Sequence, residues 1–487
     1  QARAAIESFL VSSKCPVVVD PGDPPFPVTP DNYALEWRSG YLTIEIWDER
    51  RHLSRRITGI LSQARGRLEL SIERFGKRAG TLSLIDTAAA PAETTRKAAR
   101  MTYRERFRRA LSRQFPEWRI VELSTDPDLE HSLSPTYPRA FLRLGTRGMA
   151  AIGAGPDSDS DGVLTFGLIW LDYLRTRERR VAVEGLVVLL PAGRERTTCL
   201  RMLCLNPRAA RCSIFVQTAD GYEDPVDLAD YGNIDTRLER ATRPLPDSSA
   251  DVADWFERIR SEQNVETVHR GDGAVSLRVR GLEFARLDGG ALMWGLETRR
   301  PALASNLGEI VELAREIGRL RSPRVSDRRS PLYAKHPEGW LESQVRSSIQ
   351  EIDATLEPSP VYGQAPTFTA GERGVIDLLA VDVRGRLAVL ELKASEDIHL
   401  PMQALDYWVR VKWHAEKREF GAAGYFPGVE LRSDPPRLLL VAPALEFHPS
   451  NEAVMRYFGQ DIEVQRIGVG ESWRESLKVM FRHGKLG

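Results

Sequence analysis

Three charged residues interrupt two otherwise apolar segments in GVIDLLAVDVRGRLAVLELKAS, residues 374–395: Asp377 in the first, Glu391 and Lys393 in the second. Val, Leu and Ile dominate both segments and Arg384-Gly385 supplies a turn, so the stretch predicts a β-hairpin. A turn centred on Arg384 sets residue 384 − n opposite 384 + n, which makes Asp377 and Glu391 cross-strand neighbours. Strand alternation then places Glu391 and Lys393 on one face, with Leu390 and Leu392 on the other. An unpaired buried charge is expensive, so the trio implies a metal, a substrate or a salt-bridge cluster. Two carboxylates this close repel unless a cation or a shared proton lies between them. Hard divalent ions such as Mg²⁺ take oxygen ligands of this kind, together with water and phosphate. A neighbouring lysine can orient an attacking water or stabilise charge developing on a phosphate.

Asp-x(n)-Glu-x-Lys across a hairpin resembles the signature of the PD-(D/E)XK nuclease superfamily, over roughly residues 335–445, about a quarter of the chain. The resemblance implies a Mg²⁺ or Mn²⁺ site with Asp377 and Glu391 as ligands, the backbone carbonyl of Leu392 as a further ligand, and Lys393 in the lysine role. It also implies a glutamate on the preceding helix. Glu342 in WLESQV fits, beside the apolar stripe of Leu341, Val345, Ile349 and Ile352. A Gln and Tyr are implied on the following helix, where QALDY offers Gln403 and Tyr407, four residues apart and so on one face; Pro401 suits the first turn. The sequence departs from the pattern at Gly374-Val375-Ile376, where the proline that names the family is absent before the aspartate. The expected activity is phosphodiester hydrolysis in nucleic acid, with DNA the expected polymer; RNA cleavage would use the same site. The alternative is a catalytically inactive nucleic-acid-binding or assembly scaffold that retains the fold. For the residues singly, the alternatives are a salt-bridged hairpin, an exposed helix carboxylate at Glu342 and a packing role for Tyr407.

Elements that position such a hairpin are readable along the chain. At 487 residues it is too long for one core. After a helix-like start, DPGDPPFPVTP (20–30) reads as a linker, and alternation from Tyr33 to Ile85 predicts a meander of about five strands. A basic helix ending near Pro116 follows. GAVSLRVRGLEFARLDGGALMWGLE (273–297) is hairpin-like with Asp288-Gly289-Gly290 at its turn, and NLGEIVELAREIGRL is helical with Asn306 and Glu309 placed as a capping box. The element order of the last domain recurs at 100–217, where LDYL (171–174) matches LDYW (405–408) and LLPAG matches VAPAL. The expected fold class is therefore multidomain α+β and α/β: a β-rich module (1–90), a degenerate nuclease-like α/β module (91–245), a second β-hairpin and helix module (246–334), and the nuclease module (335–487). Each α/β module is expected as a restriction-endonuclease-like mixed sheet flanked by helices. In the first copy the equivalent hairpin, RAFLRLGTRGMAAIGAG, carries Met, Ala, Ala, Ile, Gly and Ala where Glu-x-Lys stands in the second. That copy is expected to have lost chemistry and to hold substrate or a partner subunit.

Charge and composition bound the rest. Lys plus Arg and Asp plus Glu both total 68, so net charge does not mark a nucleic-acid binder. Two basic runs stand out, residues 94–119, with Arg104, Arg108 and Arg109, and residues 315–335, with Arg321, Arg324, Arg328 and Arg329; each reads as a solvated helix face or, alternatively, as a phosphate-tracking patch. With Tyr407 these are the expected nucleic-acid contacts, and a homo-oligomer or partner subunit fits the neutral balance. Four cysteines argue for a reducing compartment, and the cluster of Cys199, Cys204 and Cys212 reads as buried thiols, since no Cys or His pair completes a zinc pattern. No run of about 18 apolar residues exists, and QARAAIESFLVSSKC lacks the pattern of a signal peptide, so a cytoplasmic location without membrane partners is expected. DSDSDG (157–162) begins like a calcium loop, but its twelfth position is Leu168. No Walker loop or G-x-S-x-G elbow is present.

Overall fold

Alternating polarity from Tyr33 onward drives antiparallel pairing, because each strand has one face to bury. Tyr33–Arg38, Tyr41–Trp47, His52–Ala64, Arg67–Arg74 and Arg78–Asp86 form the meander, and Pro16–Val19 and Phe26–Pro27 extend it to seven strands. The Pro-rich stretch 20–30 thus contributes an edge strand as well as a linker, a position where proline's missing N–H is tolerated. Ile44, Ile46, Leu68, Leu70, Leu82 and Leu84 line the core beneath.

The computed structural model describes all residues except 1, 22–24, 39, 48–51, 75–77, 90–91, 219–220, 235, 242–244, 270–272, 326–327, 370–371 and 486–487; side chains at 74, 78, 92–98, 364–369, 372–375 and 485 also lie outside the description. Part of the linker, the start of the first basic run and Gly374-Val375 fall in those gaps. Within the described residues the protein is mixed α+β, with four sheets. It divides into two compact units, Gln1–Thr198 with Arg211–Val226, and Cys199–Ala210 with Asp227–Gly487.

In the first unit, the helix Ala92–Gln114 leads into strands Arg119–Ser124, Arg139–Leu144 and Arg147–Gly153, joined antiparallel. The helix Val163–Arg177 then crosses over, so Ala182–Pro191 pairs parallel with Arg147–Gly153. Arg211–Gln217 pairs parallel next, and Glu223–Pro225 closes the edge antiparallel. The second unit repeats this order: helix Pro337–Ser347, strands Tyr362–Thr369, Glu372–Val381 and Leu387–Leu392, helix Leu400–Glu416, strands Arg437–Pro443, Val464–Val469 and Val479–Lys485. Its pairings run antiparallel, antiparallel, parallel, parallel, antiparallel, as in the first. A three-residue strand, Thr236–Leu238, adds to one edge.

The same backbone bond fixes the match in register. Ala154 N–H donates to Leu189 O and Lys393 N–H donates to Val441 O, each at 3.0 Å. Ala154 therefore stands where Lys393 does, and Ile152, paired with Arg139, stands where Glu391 does.

The second unit also holds a five-stranded antiparallel sheet, Val265–His269, Val275–Val279, Leu282–Asp288, Ala291–Trp294 and Arg300–Pro301. Its core, including Phe256, Leu277, Phe284 and Ile310, is closed by the helices Ala250–Arg260 and Leu307–Leu320. Gly289 and Gly290 turn the expected hairpin with φ of 53° and 81°, where a side chain would be strained. The expected capping box at Asn306 is not formed. Its side-chain oxygen instead accepts the Leu303 N–H at 2.8 Å, tying down the turn before the helix.

Candidate active site

All six residues of Leu387–Leu392 are buried. Leu390 and Leu392 pack into a core with Trp340, Leu341 and Val345 from the preceding helix. Glu391 alternates to the other face and is still only 3% exposed. The ladder pairs Val381 with Leu387 through Leu378 with Leu390, so one further step sets Asp377 opposite Glu391, as the turn-centred count expects. Asp377 Oδ2 accepts a hydrogen bond from Leu392 N–H at 2.9 Å, which anchors the carboxylate to the strand. Lys393 Nζ lies 3.7 Å from Glu391 and 3.8 Å from Asp397.

Electrostatics follow from this burial. Desolvation pushes the Asp377 carboxyl up to about 6, against the pull of the Leu392 N–H and the Lys393 charge. Burial, then the charge of Asp377, raises Glu391 well above the carboxylate range. Each carboxyl thus raises the cost of charge on the other, the behaviour expected of two acids brought together away from water. Burial opposes the charge on Lys393, but Glu391, Glu338, Asp377 and Asp397 together outweigh it, and the ammonium is held above its usual value.

Glu342 is not on an exposed helix face: it is 5% exposed. Its Oε2 lies 3.5 Å from Arg278 Nη1 on the strand Val275–Val279. Its Oε1 has no hydrogen-bond partner and sits over Gly363, where a Cβ would come within 2.5 Å of it. Burial pushes this carboxyl up to about 7, against the attraction of Arg346 and Arg278.

Glu391 Oε2 is likewise buried without a partner. An orphaned carboxylate oxygen facing a second carboxylate suits a hard divalent ion, whose remaining positions water and phosphate can fill. Asp377 and Glu391 therefore fit such an ion. Among the described residues no group of three or more His, Cys, Asp or Glu is assembled for a metal, so the side-chain donor set is the pair alone. Leu392, expected to offer its carbonyl, engages the pair through its N–H.

Tyr407 is half-buried on the Leu400–Glu416 helix, and burial followed by the charges of Glu391 and Asp377 raises its phenol above the usual range. Gln403 is half-buried one turn before it. Sequence reasoning missed four contributors. Glu338 stands four residues before Glu342 on the same helix, a spacing that was readable, whereas Asp397 lies in the irregular segment after Lys393 and carried no such signal. Arg278 and Gly363 come from distant strands and carried no local signal.

The expected nucleic-acid arginines separate into two groups. Arg321 is fully buried; its Nη1 donates to Leu332 O and its Nη2 to Arg280 O and His336 O, and it stacks 4.6 Å over Trp340. Its role is to staple the segment after the Leu307–Leu320 helix, because its two Nη groups hold carbonyls from separate stretches of chain. Arg104 donates to Leu123 O at 2.9 Å, also a structural tie. Arg108 and Arg109 turn toward Glu105, and Arg328 pairs with Glu475. Arg324 and Arg329 are exposed. Cys199 is buried, and burial raises the thiols of Cys204 to about 12 and Cys212 to about 11.

No family model matches the chain, and no curated protein matches it.

Proposed function

We propose that the chain is a metal-dependent nuclease of the PD-(D/E)XK kind, hydrolysing phosphodiester bonds of nucleic acid, with DNA the expected substrate. On this reading both α/β sheets are restriction-endonuclease-like modules and residues 335–487 carry the chemistry. One observation carries it: the half-buried Asp377 and the buried Glu391 stand opposite each other, with an oxygen of Glu391 unpartnered and Lys393 3.7 Å from Glu391.

Asp377 and Glu391 would hold Mg²⁺ or Mn²⁺, which when bound supplies charge stabilisation at the phosphate and a more acidic water. The Leu392 N–H holds Asp377 still. Lys393 stays protonated at neutral pH because carboxylates surround it, so its role is not that of a general base. It would orient the attacking water and donate to a non-bridging phosphate oxygen as charge develops there. Tyr407 and Gln403, on one helix face beside the pair, would contact the substrate. Glu342, held against Arg278, would tune the pair's electrostatics.

The second reading, a non-catalytic nucleic-acid scaffold, draws on the two-carboxylate donor set and on the pairing of Glu342 with Arg278. A cleavage panel separates the two. Labelled single-stranded, duplex and branched DNA and RNA are incubated with Mg²⁺, Mn²⁺ or EDTA, beside Lys393→Ala protein. Metal-dependent cleavage that falls by at least about 10²-fold in the variant is expected, the scale of losing one such donor. Binding without cleavage of any substrate would favour the scaffold.

A further inference from the structure

The register match between the two sheets exchanges charge at one place. Arg139 stands where Asp377 does, Ile152 where Glu391 does, and Ala154 where Lys393 does. A carboxylate suited to holding a cation has become a cation. Arg139 is 5% exposed, a depth close to that of Glu391. Its Nε and Nη1 are buried with no hydrogen-bond partner.

Nearby acids act on Arg139 from a distance but are committed elsewhere. Asp128 pairs with His131 at 2.9 Å, Glu122 pairs with Arg177 at 2.8 Å, and Asp126 accepts from Ser124 Oγ. The guanidinium lies 5.6 Å over the Trp170 ring, and the exposed Arg177 lies 5.7 Å over the same ring and 5.2 Å over Tyr173. Tyr173 is the counterpart of Tyr407 in the matching LDY motif. Two cations gathered on one indole, one with open donors, form a place that an anion completes. Buried donors without acceptors are rare in native proteins and signal a missing partner. The forked guanidinium matches phosphate oxygens better than any point charge.

We infer that the first α/β module binds a backbone phosphate of nucleic acid at Arg139, the guanidinium taking the place that a divalent ion has in the second module. The identity of the ligand rests on the nuclease reading; the anion site itself rests on Arg139 and its open donors. The site holds the polymer without cutting it, since no carboxylate or lysine stands at positions 152 and 154.

The test is fluorescence anisotropy of a short labelled DNA duplex with the full chain in EDTA, so that the second module's metal chemistry is silent. Arg139→Gln is expected to weaken binding about tenfold, the worth of one charge-assisted fork, and to flatten the salt dependence by about 0.9 in log–log slope. Unchanged affinity and slope in folded Arg139→Gln protein would overturn the inference. Should that variant fail to fold, benzoylphenylalanine at position 177 replaces it: photocrosslinking to the duplex is expected, and none would overturn the site. Arg139-dependent binding by a chain that cleaves nothing would sink the nuclease reading alone.

Discussion

Glu391 and Asp377 are two acids that water would normally separate, held together by a hairpin that leaves neither a choice. Their raised pKa values set a pH dependence whose sign can be worked out. A carboxyl with a folded-state pKa above its unfolded value favours folding below the unfolded pKa, and that contribution is lost as pH rises through the folded pKa. The window runs from 3.8 to about 6 for Asp377 and from 4.5 to about 7 for Glu342. Thermal melts in EDTA should therefore lose stability across pH 4–7, and Mn²⁺ should raise the melting temperature far more at pH 8 than at pH 5. Asp377→Asn should flatten both trends; a metal effect independent of pH would contradict the coupling. At this scale Asp377, Glu391 and Lys393 were legible because hairpin symmetry is local. Arg278 was not, since its approach to Glu342 joins two segments that share no sequence spacing.

Elements, rather than residues, decide how firmly the site is held. The Pro337–Ser347 helix presents Glu342 over Gly363, where a Cβ would meet the carboxylate oxygen at 2.5 Å and force that side chain to shift. Gly363→Ala is expected to cost about 1–3 kcal/mol by overpacking and to weaken Mn²⁺ binding, both measurable by denaturant titration with and without metal. Gly185 is tighter still: a Cβ would lie 1.8 Å from Arg211 O across the parallel ladder. Gly185→Ala should unfold the first unit at lower denaturant while leaving the pH response of the carboxylate pair unchanged. The meander, the repeat and the crossover helices were legible from periodicity and from the LDY and PA motifs. The edge strand at Phe26–Pro27 was not, because proline there reads as a linker until a neighbouring strand is known to need a partner. Asn306 was misassigned for a similar reason: its side chain serves the preceding turn instead of the helix.

Across the whole molecule, equal numbers of acidic and basic side chains leave no net attraction for a polyanion. Affinity must come from places where cations are not already paired, and most arginines of the two basic runs are committed to Glu105, Glu475 or backbone carbonyls. Composition could count those charges but could not show which were spent. Replacing the exposed Arg324 with Gln should lower DNA affinity for every sequence and reduce the salt slope by at most about 0.9, the worth of one phosphate contact. Among the described residues no helix is long and apolar enough to cross a membrane. On the proposed reading, one carboxylate pair in each chain is a divalent-ion site. Calorimetric titration of Mn²⁺ into the wild-type chain and the Asp377→Asn/Glu391→Gln protein tests it most directly. One saturable Mn²⁺ per chain, lost in the double variant and kept in Lys393→Ala, is the expected result; no saturable binding, or binding unchanged by the double substitution, would contradict it.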